Sequence, residues 1–411
     1  MKAFTEPLLS LAGFEEMTKT AEKSSGLISV TGCIDAQKSQ MIYAFGGHRK
    51  NKLIVTFGEQ KAKELYDEYS FFDKEVVYYP SKDVLFYQSD IRGNLLTAER
   101  IRALKAIREQ ERVTLVTTFD ALMNTMAPIE KMWENVLTLE QGQLLDLKEI
   151  QAALIRMGYE KEYQVQTMGQ FSVRGGILDV FPLTEENPIR IELWGDEIDT
   201  IRYFDCESQK SIENIDRVSI YPAAELVLSD EEKAGGIEKL KAEAKRVSDK
   251  LRKQMKTEEA HRVTVMADEL TEEWGELSMY AGMDAFLSYF FDERVGLLDY
   301  FKPSDSLIFF DELTRCAEQG KLTETEFSES MKQRLAMGYI LPGQMNGLFT
   351  EKEIVAKLEK YSCIALGALD NKANGLHQLG SYGIHCQSVS PYNNSFELLI
   401  KDLKRYKKNG Y

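Results

Sequence analysis

The sequence predicts an α/β fold in which a parallel sheet is split by a small α+β insert with an antiparallel sheet. Continuous apolar runs recur between amphipathic helical patterns in the first and last parts of the chain, as is typical of parallel strands covered on both faces. Between these parts, strands alternate apolar and polar residues and are separated by glycine and proline turns, which indicates antiparallel hairpins. A chain of 411 residues is also too long for one ordinary core. We therefore expect four segments, which comprise residues 1–127, 128–223, 224–390 and 391–411.

The first segment is predicted to form the first half of the parallel-sheet domain. Two amphipathic patterns predict helices at residues 36–45 and 59–69. Apolar runs before, between and after them are expected as buried strands, at residues 27–30, 53–57, 76–79 and 113–117.

The second segment, residues 128–223, is predicted to be the insert. A helix is expected over residues 147–157. It is followed by alternating strands, at residues 171–173, 177–181, 189–193 and 198–204. Turn residues separate these strands, namely Gly175-Gly176, Asn187-Pro188 and Gly195-Asp196. The pattern therefore indicates a small antiparallel sheet joined by tight turns.

The third segment, residues 224–390, is predicted to complete the parallel sheet with strands at 306–310 and 362–366. Before these strands, one apolar face marks a long charged helix, and its members are Ile237, Leu240, Val247, Leu251 and Met255. Such a face fits either a coiled coil or a helix packed on its own domain, and we favour the second.

The last part of the chain is predicted to be a polar linker at residues 371–394 and a helix at 396–406. Residues 407–411 read Lys-Lys-Asn-Gly-Tyr, which is typical of a helix end followed by a turn. We therefore expect residues 391–411 to be a linker and the start of a following domain, so that the chain is a fragment of a longer polypeptide.

Composition argues against several classes of function. The net charge is −15, and an acidic surface repels nucleic acid at long range, although a local basic patch could still bind it. The five cysteines include no CxxC pair, so neither a zinc site nor a disulfide framework is predicted. The nearest approach to a metal cluster is His377, His385 and Cys386, whose spacing fits no standard site, and we predict no metal. With no apolar run of membrane-spanning length and no signal-peptide pattern, we expect a cytoplasmic protein without a membrane partner.

The loop between the first predicted strand and helix matches a phosphate-binding loop only in part. The working pattern GxxxxGK[ST] holds phosphates with backbone amides, while its Lys and Ser/Thr meet phosphate and Mg²⁺. Gly32, Lys38 and Ser39 match it, but Gln37 replaces the second glycine and Asp35 adds a negative charge inside the loop. A glutamine side chain obstructs the approach of phosphate and disfavours a positive φ. We therefore predict a degenerate nucleotide site with no ATP or other cofactor.

A second remnant of a nucleotide site follows the predicted strand at 306–310. Asp311 and Glu312 lie where a helicase carries its Mg²⁺-binding aspartate and catalytic glutamate. Both could be solvated loop charges, but the Lys38-Ser39 pair elsewhere favours a remnant active site. A motor also needs a second lobe of about 150 residues, and the chain after Glu312 is shorter than that. We therefore expect no catalytic residues in this chain.

Two stretches of the insert carry a specific family resemblance. Residues 169–182 read GQFSVRGGILDVFP and residues 189–199 read IRIELWGDEID. With these stretches, the chain from about residue 25 onward resembles the N-terminal region of the bacterial transcription-repair coupling factor family, which is itself similar to the excinuclease B subunit of nucleotide excision repair. The resemblance implies a degenerate helicase-like (RecA-like) domain, split by a small domain that binds the excinuclease A subunit.

Departures from the excinuclease B pattern favour the coupling factor. That subunit carries an intact phosphate loop, whereas this chain has Gln37. It also carries a long tyrosine-rich hairpin that grips damaged DNA, whereas the matching stretch here, residues 79–97, is short and holds only Tyr79 and Tyr87. The resemblance implies that parts binding RNA polymerase and translocating on DNA lie beyond Tyr411.

The strand predicted at residues 189–193 carries the candidate binding residues. Period two sends Ile189, Ile191 and Leu193 to one face and Arg190, Glu192 and Trp194 to the other. A tryptophan on a polar face is typical of a binding hot spot, and the arginine before the Gly175-Gly176 turn, Arg174, could reach the same face. Alternatively, Trp194 covers the sheet edge and Arg190 pairs with Glu192 or Asp179.

The resemblance assigns roles to these positions. Arg174, Arg190 and Trp194 fall where the family uses two arginines and an aromatic residue to bind the excinuclease A subunit, while Glu192 and Arg202 are weaker candidates. The first functional hypothesis is therefore a non-catalytic adaptor that brings the excinuclease A subunit to stalled transcription. The alternatives are a nucleotide-binding or ATP-dependent DNA helicase or translocase fragment, and a passive DNA-binding or autoinhibitory scaffold.

Overall fold

The computed structural model describes most of the chain, and the described residues are 2–9, 11, 13–45, 49–82, 94–276, 282–369, 375–384 and 392–410. The elements that precede the insert sheet are α1 (Lys2–Leu9), α2 (Phe14–Lys23), β1 (Gly26–Thr31), α3 (Asp35–Phe45), β2 (Asn51–Thr56), α4 (Glu59–Tyr69), β3 (Val77–Tyr79), α5 (Asn94–Glu109), β4 (Thr114–Thr118), α6 (Phe119–Met123) and α7 (Ile129–Glu134).

The insert follows these elements in the chain. It consists of β5 (Leu137–Glu140), α8 (Leu147–Arg156), β6 (Glu160–Lys161), β7 (Gln170–Arg174), β8 (Ile177–Val180), β9 (Ile189–Trp194), β10 (Glu197–Phe204), β11 (Ser211–Ile215) and β12 (Arg217–Ile220).

The remaining elements belong to the second half of the chain. They are α9 (Asp230–Lys253), α10 (Thr257–Glu276), α11 (Leu287–Phe290), β13 (Ser306–Asp311), α12 (Leu313–Ala336), α13 (Glu351–Leu358), β14 (Ser362–Leu366), β15 (Gln378–Gly383) and α14 (Phe396–Lys408). Short 3₁₀ helices lie at Met283–Phe286, Leu297–Tyr300, Pro303–Asp305 and Pro342–Gly347.

Seven parallel strands form the main sheet, in the order β15-β1-β14-β13-β2-β4-β3. β14 lies between β1 and β13, and β13 pairs on its other side with β2. Because strands from both halves of the chain alternate in one sheet, the two halves form a single domain that the insert interrupts. The predicted α/β fold, a parallel sheet with a separate small antiparallel sheet, is confirmed.

The main sheet is buried on both faces, which explains its continuous apolar strands. In β2, Leu53 and Val55 point into one core cluster and Ile54 into the other. In β13, Phe310 and Phe309 divide between the same two clusters. Side chains of a strand alternate between faces, so a strand covered on both sides needs apolar residues at every position.

The second half of the chain corrects two predictions. Part of the expected polar linker, residues 378–383, forms the edge strand β15, which pairs with β1 from Ile28↔Gly380 to Thr31↔Gly383. An edge strand is held by backbone hydrogen bonds on one side and needs little apolar content, so its sequence carries a weak signal. Residues 371–374 and 385–391 of that linker lie outside the described residues. Met255 is not on the apolar face of α9, because it lies beyond the helix end and is 87% exposed.

The long charged helix packs within its own domain, as favoured from the sequence. α9 forms a helical hairpin with α10, and Leu240 and Leu251 of α9 join a core cluster with Trp274 of α10. Trp274 is fully buried and its ring lies 5.0 Å from that of Phe286. Helices α5, α10 and α12 were not predicted. No helix in the described ranges is long and apolar enough to cross a membrane.

The insert is built on one six-stranded sheet in the order β11-β10-β9-β8-β7-β6, and the β5–β12 pair forms its stem. Its strands pair antiparallel except β6 with β7. One face packs against α8, where Leu154 meets Phe171, Ile191 and Ile201 in a single core cluster. The tight turns use Gly175 (φ 61°) and Gly195 (φ 67°), both in the left-handed region that favours glycine.

A buried ion pair holds the stem of the insert against the main domain. The Arg100 guanidinium on α5 is fully buried and donates to both carboxylate oxygens of Glu225, at 2.7 and 3.0 Å. Lys82 lies 2.9 Å from the same carboxylate. Removing one partner of such a pair leaves a buried charge uncompensated, so the pair fixes where the insert leaves the domain.

Candidate functional site

The structure brings together the residues predicted for the degenerate nucleotide site. The Lys38 ammonium lies 2.5 Å from Asp311 Oδ1, 2.9 Å from Glu312 Oε1 and 2.9 Å from Asp35 Oδ1. Lys38 and Asp311 are 1% and 2% exposed. This cluster, called the Lys38 cluster below, forms because β1 and β13 are parallel and end at the same edge of the sheet. Ser39 does not join it and instead donates to Glu68 at 3.3 Å.

Electrostatics keeps the Lys38 side chain protonated within the Lys38 cluster. Burial disfavours the Lys38 ammonium, but the Asp311, Asp35 and Glu312 carboxylates outweigh that penalty and raise its pKa. The Asp311 carboxylate also accepts a hydrogen bond of 2.8 Å from the Thr56 hydroxyl. A lysine held in this way occupies the carboxylates that would otherwise be available to a divalent cation.

The backbone of the loop differs from a phosphate cradle. α3 begins at Asp35, so residues 35–37 are already helical. The Gln37 amide donates to the Ile34 carbonyl at 3.0 Å. The amides of Gly32 and Cys33 donate to Ala368 and Gly367 carbonyls, at 3.2 and 3.0 Å. Because these amides have protein acceptors, they are not presented to an anion.

Glu312 adopts an unusual backbone conformation beside this loop. Its φ of 56° and ψ of 64° place it in the left-handed region, which is strained for a residue with a side chain. Its carboxylate accepts from Lys38 and from the Ala368 amide at 3.1 Å, and its own amide donates to Leu366 at 3.0 Å. These contacts hold the conformation in place.

The second candidate site is the polar face of the insert sheet, the face opposite α8. Strand register places Arg174, Ile177, Glu192 and Thr200 in one cross-strand row, and Ser172, Asp179, Arg190 and Arg202 in the next. Trp194 lies two residues beyond Glu192 on the same face, at the β9–β10 turn. All five predicted partner-binding residues therefore share one surface, called the insert face below.

Trp194 is exposed, as the alternation of β9 predicts. Its side chain is 84% exposed, whereas Ile189 and Ile191 on the other face are fully buried. Burying such an indole against a partner removes much apolar surface from water.

Arg190 differs from the expected bare guanidinium. It donates to both Asp179 oxygens, at 2.7 and 2.9 Å, and to Gln209 Oε1 at 2.8 Å. Its guanidinium carbon lies 4.3 Å from the Phe204 ring centre, and its side chain is 12% exposed. The sequence left open whether Arg190 faces a partner or pairs with a carboxylate of its own sheet. The structure shows Arg190 paired with Asp179.

Arg174 and Arg202 also have internal partners but remain more accessible. Arg174 donates to Asp179 at 3.0 Å through one nitrogen, and its side chain is 37% exposed. Arg202 pairs with Glu192 at 2.5 Å. The hydrogen bond from Arg202 lowers the pKa of Glu192, and it outweighs the opposing effect of burial.

Tyr163 is a part of the insert face that sequence reasoning missed. It is 82% exposed, its carbonyl accepts from the Ser172 hydroxyl at 2.8 Å, and its ring centre lies 5.9 Å from the Arg174 guanidinium carbon. The only sequence signal is an aromatic residue inside the polar stretch 160–166.

The histidine–cysteine group and the tyrosine stretch considered from the sequence lie largely outside the described residues. Across the described ranges, no group of three or more His, Cys, Asp or Glu residues could hold a metal ion. His385 and Cys386 lie outside the described residues, as does Tyr87 with the rest of residues 83–93.

Comparison with known proteins yields a family model and a set of relatives. Residues 137–226 match the UvrB interaction domain, a range that runs from the start of β5 to just beyond Glu225. The transcription-repair-coupling factor of Bacillus subtilis (strain 168) is 26% identical over 360 residues, which cover 87% of this chain and 30% of that protein. That of Staphylococcus aureus (strain MRSA252) is 26% identical over 411 residues, which cover 97% of this chain and 33% of the relative.

The chain thus spans about a third of the length of these curated relatives. The match to the interaction domain coincides with the insert, and the relatives extend the likeness to both halves of the main domain. This chain therefore resembles the N-terminal region of transcription-repair-coupling factors over most of its length, and its insert matches the UvrB interaction domain.

Proposed function

We propose that this chain is a non-catalytic adaptor module of transcription-coupled nucleotide excision repair, and that its insert binds the excinuclease A subunit. The observation that carries the proposal is the exposed Trp194 indole on the insert face, within the range that matches the UvrB interaction domain. Large exposed aromatics beside guanidinium groups are typical of interaction hot spots. The names of the relatives link transcription with repair, which supports the same role.

The adaptor would recruit the excinuclease A subunit to stalled transcription complexes in the cytoplasm. Contacts with RNA polymerase and DNA are proposed for further parts of a longer protein, because this chain spans about a third of its relatives. The net charge of −15 supports a protein partner over a nucleic acid for the chain as a whole.

The Lys38 cluster supports the absence of ATP hydrolysis. Asp311 and Glu312 are occupied by Lys38, and the Gly32 and Cys33 amides by carbonyls, so nucleotide binding would have to break both sets of contacts. A phosphate-release assay tests this point. Turnover by the wild type that is abolished in Lys38→Ala would establish the rival ATP-dependent function.

Calorimetric titration of the purified chain with the purified excinuclease A subunit tests the adaptor. Loss of a hot-spot side chain commonly costs about 2 kcal/mol, so Trp194→Ala should weaken binding roughly thirtyfold. A matched control is Met255→Ala, which removes an equally exposed side chain outside the insert, 87% exposed, and should bind like the wild type. Wild-type affinity in Trp194→Ala, Arg174→Ala and Arg190→Ala alike would reject the proposal, as would no binding by the wild type.

A further inference from the structure

Asp179 is the central carboxylate of the insert face. It is 1% exposed, and within residues 137–220, all of which the structure describes, no other carboxylate is buried to this extent. It lies on β8 between Arg174 of β7 and Arg190 of β9 and accepts three hydrogen bonds from them, at 3.0, 2.7 and 2.9 Å. One buried anion thus fixes two guanidinium groups from the two flanking strands.

The two arginines are held differently. Arg190 uses its Nε and Nη2 atoms on Asp179 and Gln209 and lies against the Phe204 ring, so it is largely enclosed. Arg174 is bound to Asp179 through Nη2, and more than a third of its side chain remains exposed. Arg174 is therefore the guanidinium that a partner can reach, whereas Arg190 is enclosed and binds the same Asp179 carboxylate.

Two exposed aromatics flank Arg174 on the same face. The Tyr163 ring lies on one side, with its centre 5.9 Å from the Arg174 guanidinium carbon. Trp194 lies on the other side, two strands across and two residues along, which corresponds to about 12 Å between Cα atoms. The two cross-strand rows around Arg174 carry three arginines, Arg174, Arg190 and Arg202, and two carboxylates, Asp179 and Glu192, while Glu197 adds a carboxylate opposite Trp194.

We propose, resting on the proposed function, that Asp179 is a positioning residue and that Tyr163 is a contact residue of the insert face. Asp179 aims Arg174 outward between Tyr163 and Trp194. The partner surface that fits this arrangement presents a carboxylate to Arg174, where a bidentate pair can form, with apolar surface on each side for the two rings. Arg190 then acts through Asp179 and Arg174 rather than by touching the partner.

Asp179 could act through its charge alone or by positioning Arg174, and the two roles predict opposite changes in binding affinity for the same variant. If Asp179 only contributed its charge, Asp179→Asn would make the face more positive and would tighten binding to a carboxylate-bearing partner. If Asp179 holds Arg174 in place, the same variant frees both guanidinium groups and weakens binding, since their ordering must then be supplied on association.

The experiment is calorimetric titration of the excinuclease A subunit with variants of the full chain. We expect roughly tenfold weaker binding for Asp179→Asn, and a double variant Arg174→Ala/Asp179→Asn no weaker than Arg174→Ala, because Asp179 acts through Arg174. Glu140→Gln is the control, since its exposed carboxylate pairs with Arg217 on another sheet of the insert. Titrations are run well below the melting temperature of each variant, where a loss of global stability alone leaves the binding affinity unchanged.

A surface variant keeps the test decisive should Asp179→Asn fold poorly. Tyr163→Ala removes an 82% exposed ring and should weaken binding roughly fivefold or more without lowering the melting temperature. Wild-type affinity in Tyr163→Ala overturns its contact role. Wild-type or tighter affinity in Asp179→Asn, with Trp194→Ala still weakened, overturns the positioning role and leaves the adaptor function intact.

An NMR measurement on the chain alone distinguishes failure of the positioning role from failure of the proposed function. The Arg190 Nε proton, bound to Asp179, should give a protected nitrogen-correlated NMR signal in the wild type that is lost in Asp179→Asn. If the wild type does not bind the excinuclease A subunit, the proposed function fails, while this signal still reports on Asp179. Its persistence in Asp179→Asn would overturn the claim that the Asp179 carboxylate is what orders Arg190.

Discussion

Replacing Lys38 tests whether the Lys38 cluster has become a structural element of the fold. Lys38→Met keeps the length and apolar part of the side chain and removes the charge. The variant leaves Asp311, which is 2% exposed, with Thr56 as its remaining hydrogen-bond donor among the contacts of the described residues. Breaking one side of a buried ion pair costs about 3–5 kcal/mol, because a buried charge loses its partner.

The expected change is large enough to measure by thermal and urea unfolding. For a domain of roughly 300 residues, a loss of 3–5 kcal/mol corresponds to a melting temperature lower by about 5–8 °C. Thermal and urea unfolding are measured near pH 7. Since the carboxylates raise the Lys38 pKa, its stabilising charge is fully present below its ordinary value of 10.5 and is lost only as the pH rises above that value.

Lys61→Met is the matched control for this experiment. Lys61 also pairs with Asp35, at 3.2 Å, but it is more accessible than Lys38, and partly exposed pairs contribute about 1 kcal/mol or less. A loss for Lys38→Met no larger than that for Lys61→Met would refute the reasoning. So would a rise in the wild-type melting temperature with Mg²⁺ and ATP that disappears in Lys38→Met, since it would show a working nucleotide site.

Three further predictions concern stability. Burial favours the neutral acid, but Arg100 lowers the pKa of Glu225 from 4.5 to about 2. The stability that this pair contributes is therefore present above pH 4.5 and is lost as the pH falls towards 2. Urea titrations should show that Glu225→Gln is less stable than the wild type at pH 7, and that its stability changes less between pH 4.5 and pH 2. Met255 has a φ of 64° at the end of α9, so Met255→Gly should raise the free energy of unfolding in urea by about 1 kcal/mol, and Met255→Ala should leave it unchanged. Gly32→Ala should lower the melting temperature, because it would place a Cβ 2.0 Å from the Ile384 carbonyl oxygen at a φ of 76°. An unchanged melting temperature would contradict this packing.

Strands buried on both faces were the elements that the sequence located well. β14 has the predicted bounds, and β1, β2, β4 and β13 differ from theirs by no more than two residues at either end. Each is buried along nearly its whole length and has an apolar run at its centre, because both faces of the sheet are covered. β15 was missed because an edge strand is specified by backbone pairing with β1, and its sequence, QLGSYG, contains few apolar residues.

The candidate sites show the same division. Alternation along β9 was sufficient to place Arg190, Glu192 and Trp194 on one face, and the exposure of Trp194 follows from it. The same alternation carries no information on which carboxylate a guanidinium meets. Asp179 meets Arg174 and Arg190 because it lies on the strand between theirs, a neighbourhood that exists only in the folded sheet.

Residue order within short segments was enough to predict the fold class, the place of the insert and the polar face that carries Trp194, and to show that residues 32–39 depart from the phosphate-loop pattern. The folded structure was needed to show that Lys38 pairs with Asp311, Glu312 and Asp35, that Asp179 binds two arginines, and that Tyr163 borders Arg174. Ion pairs and ring contacts act over a few ångströms in space, whereas Lys38 and Asp311 are 273 residues apart in the chain and meet only because parallel strands end at one edge of the sheet.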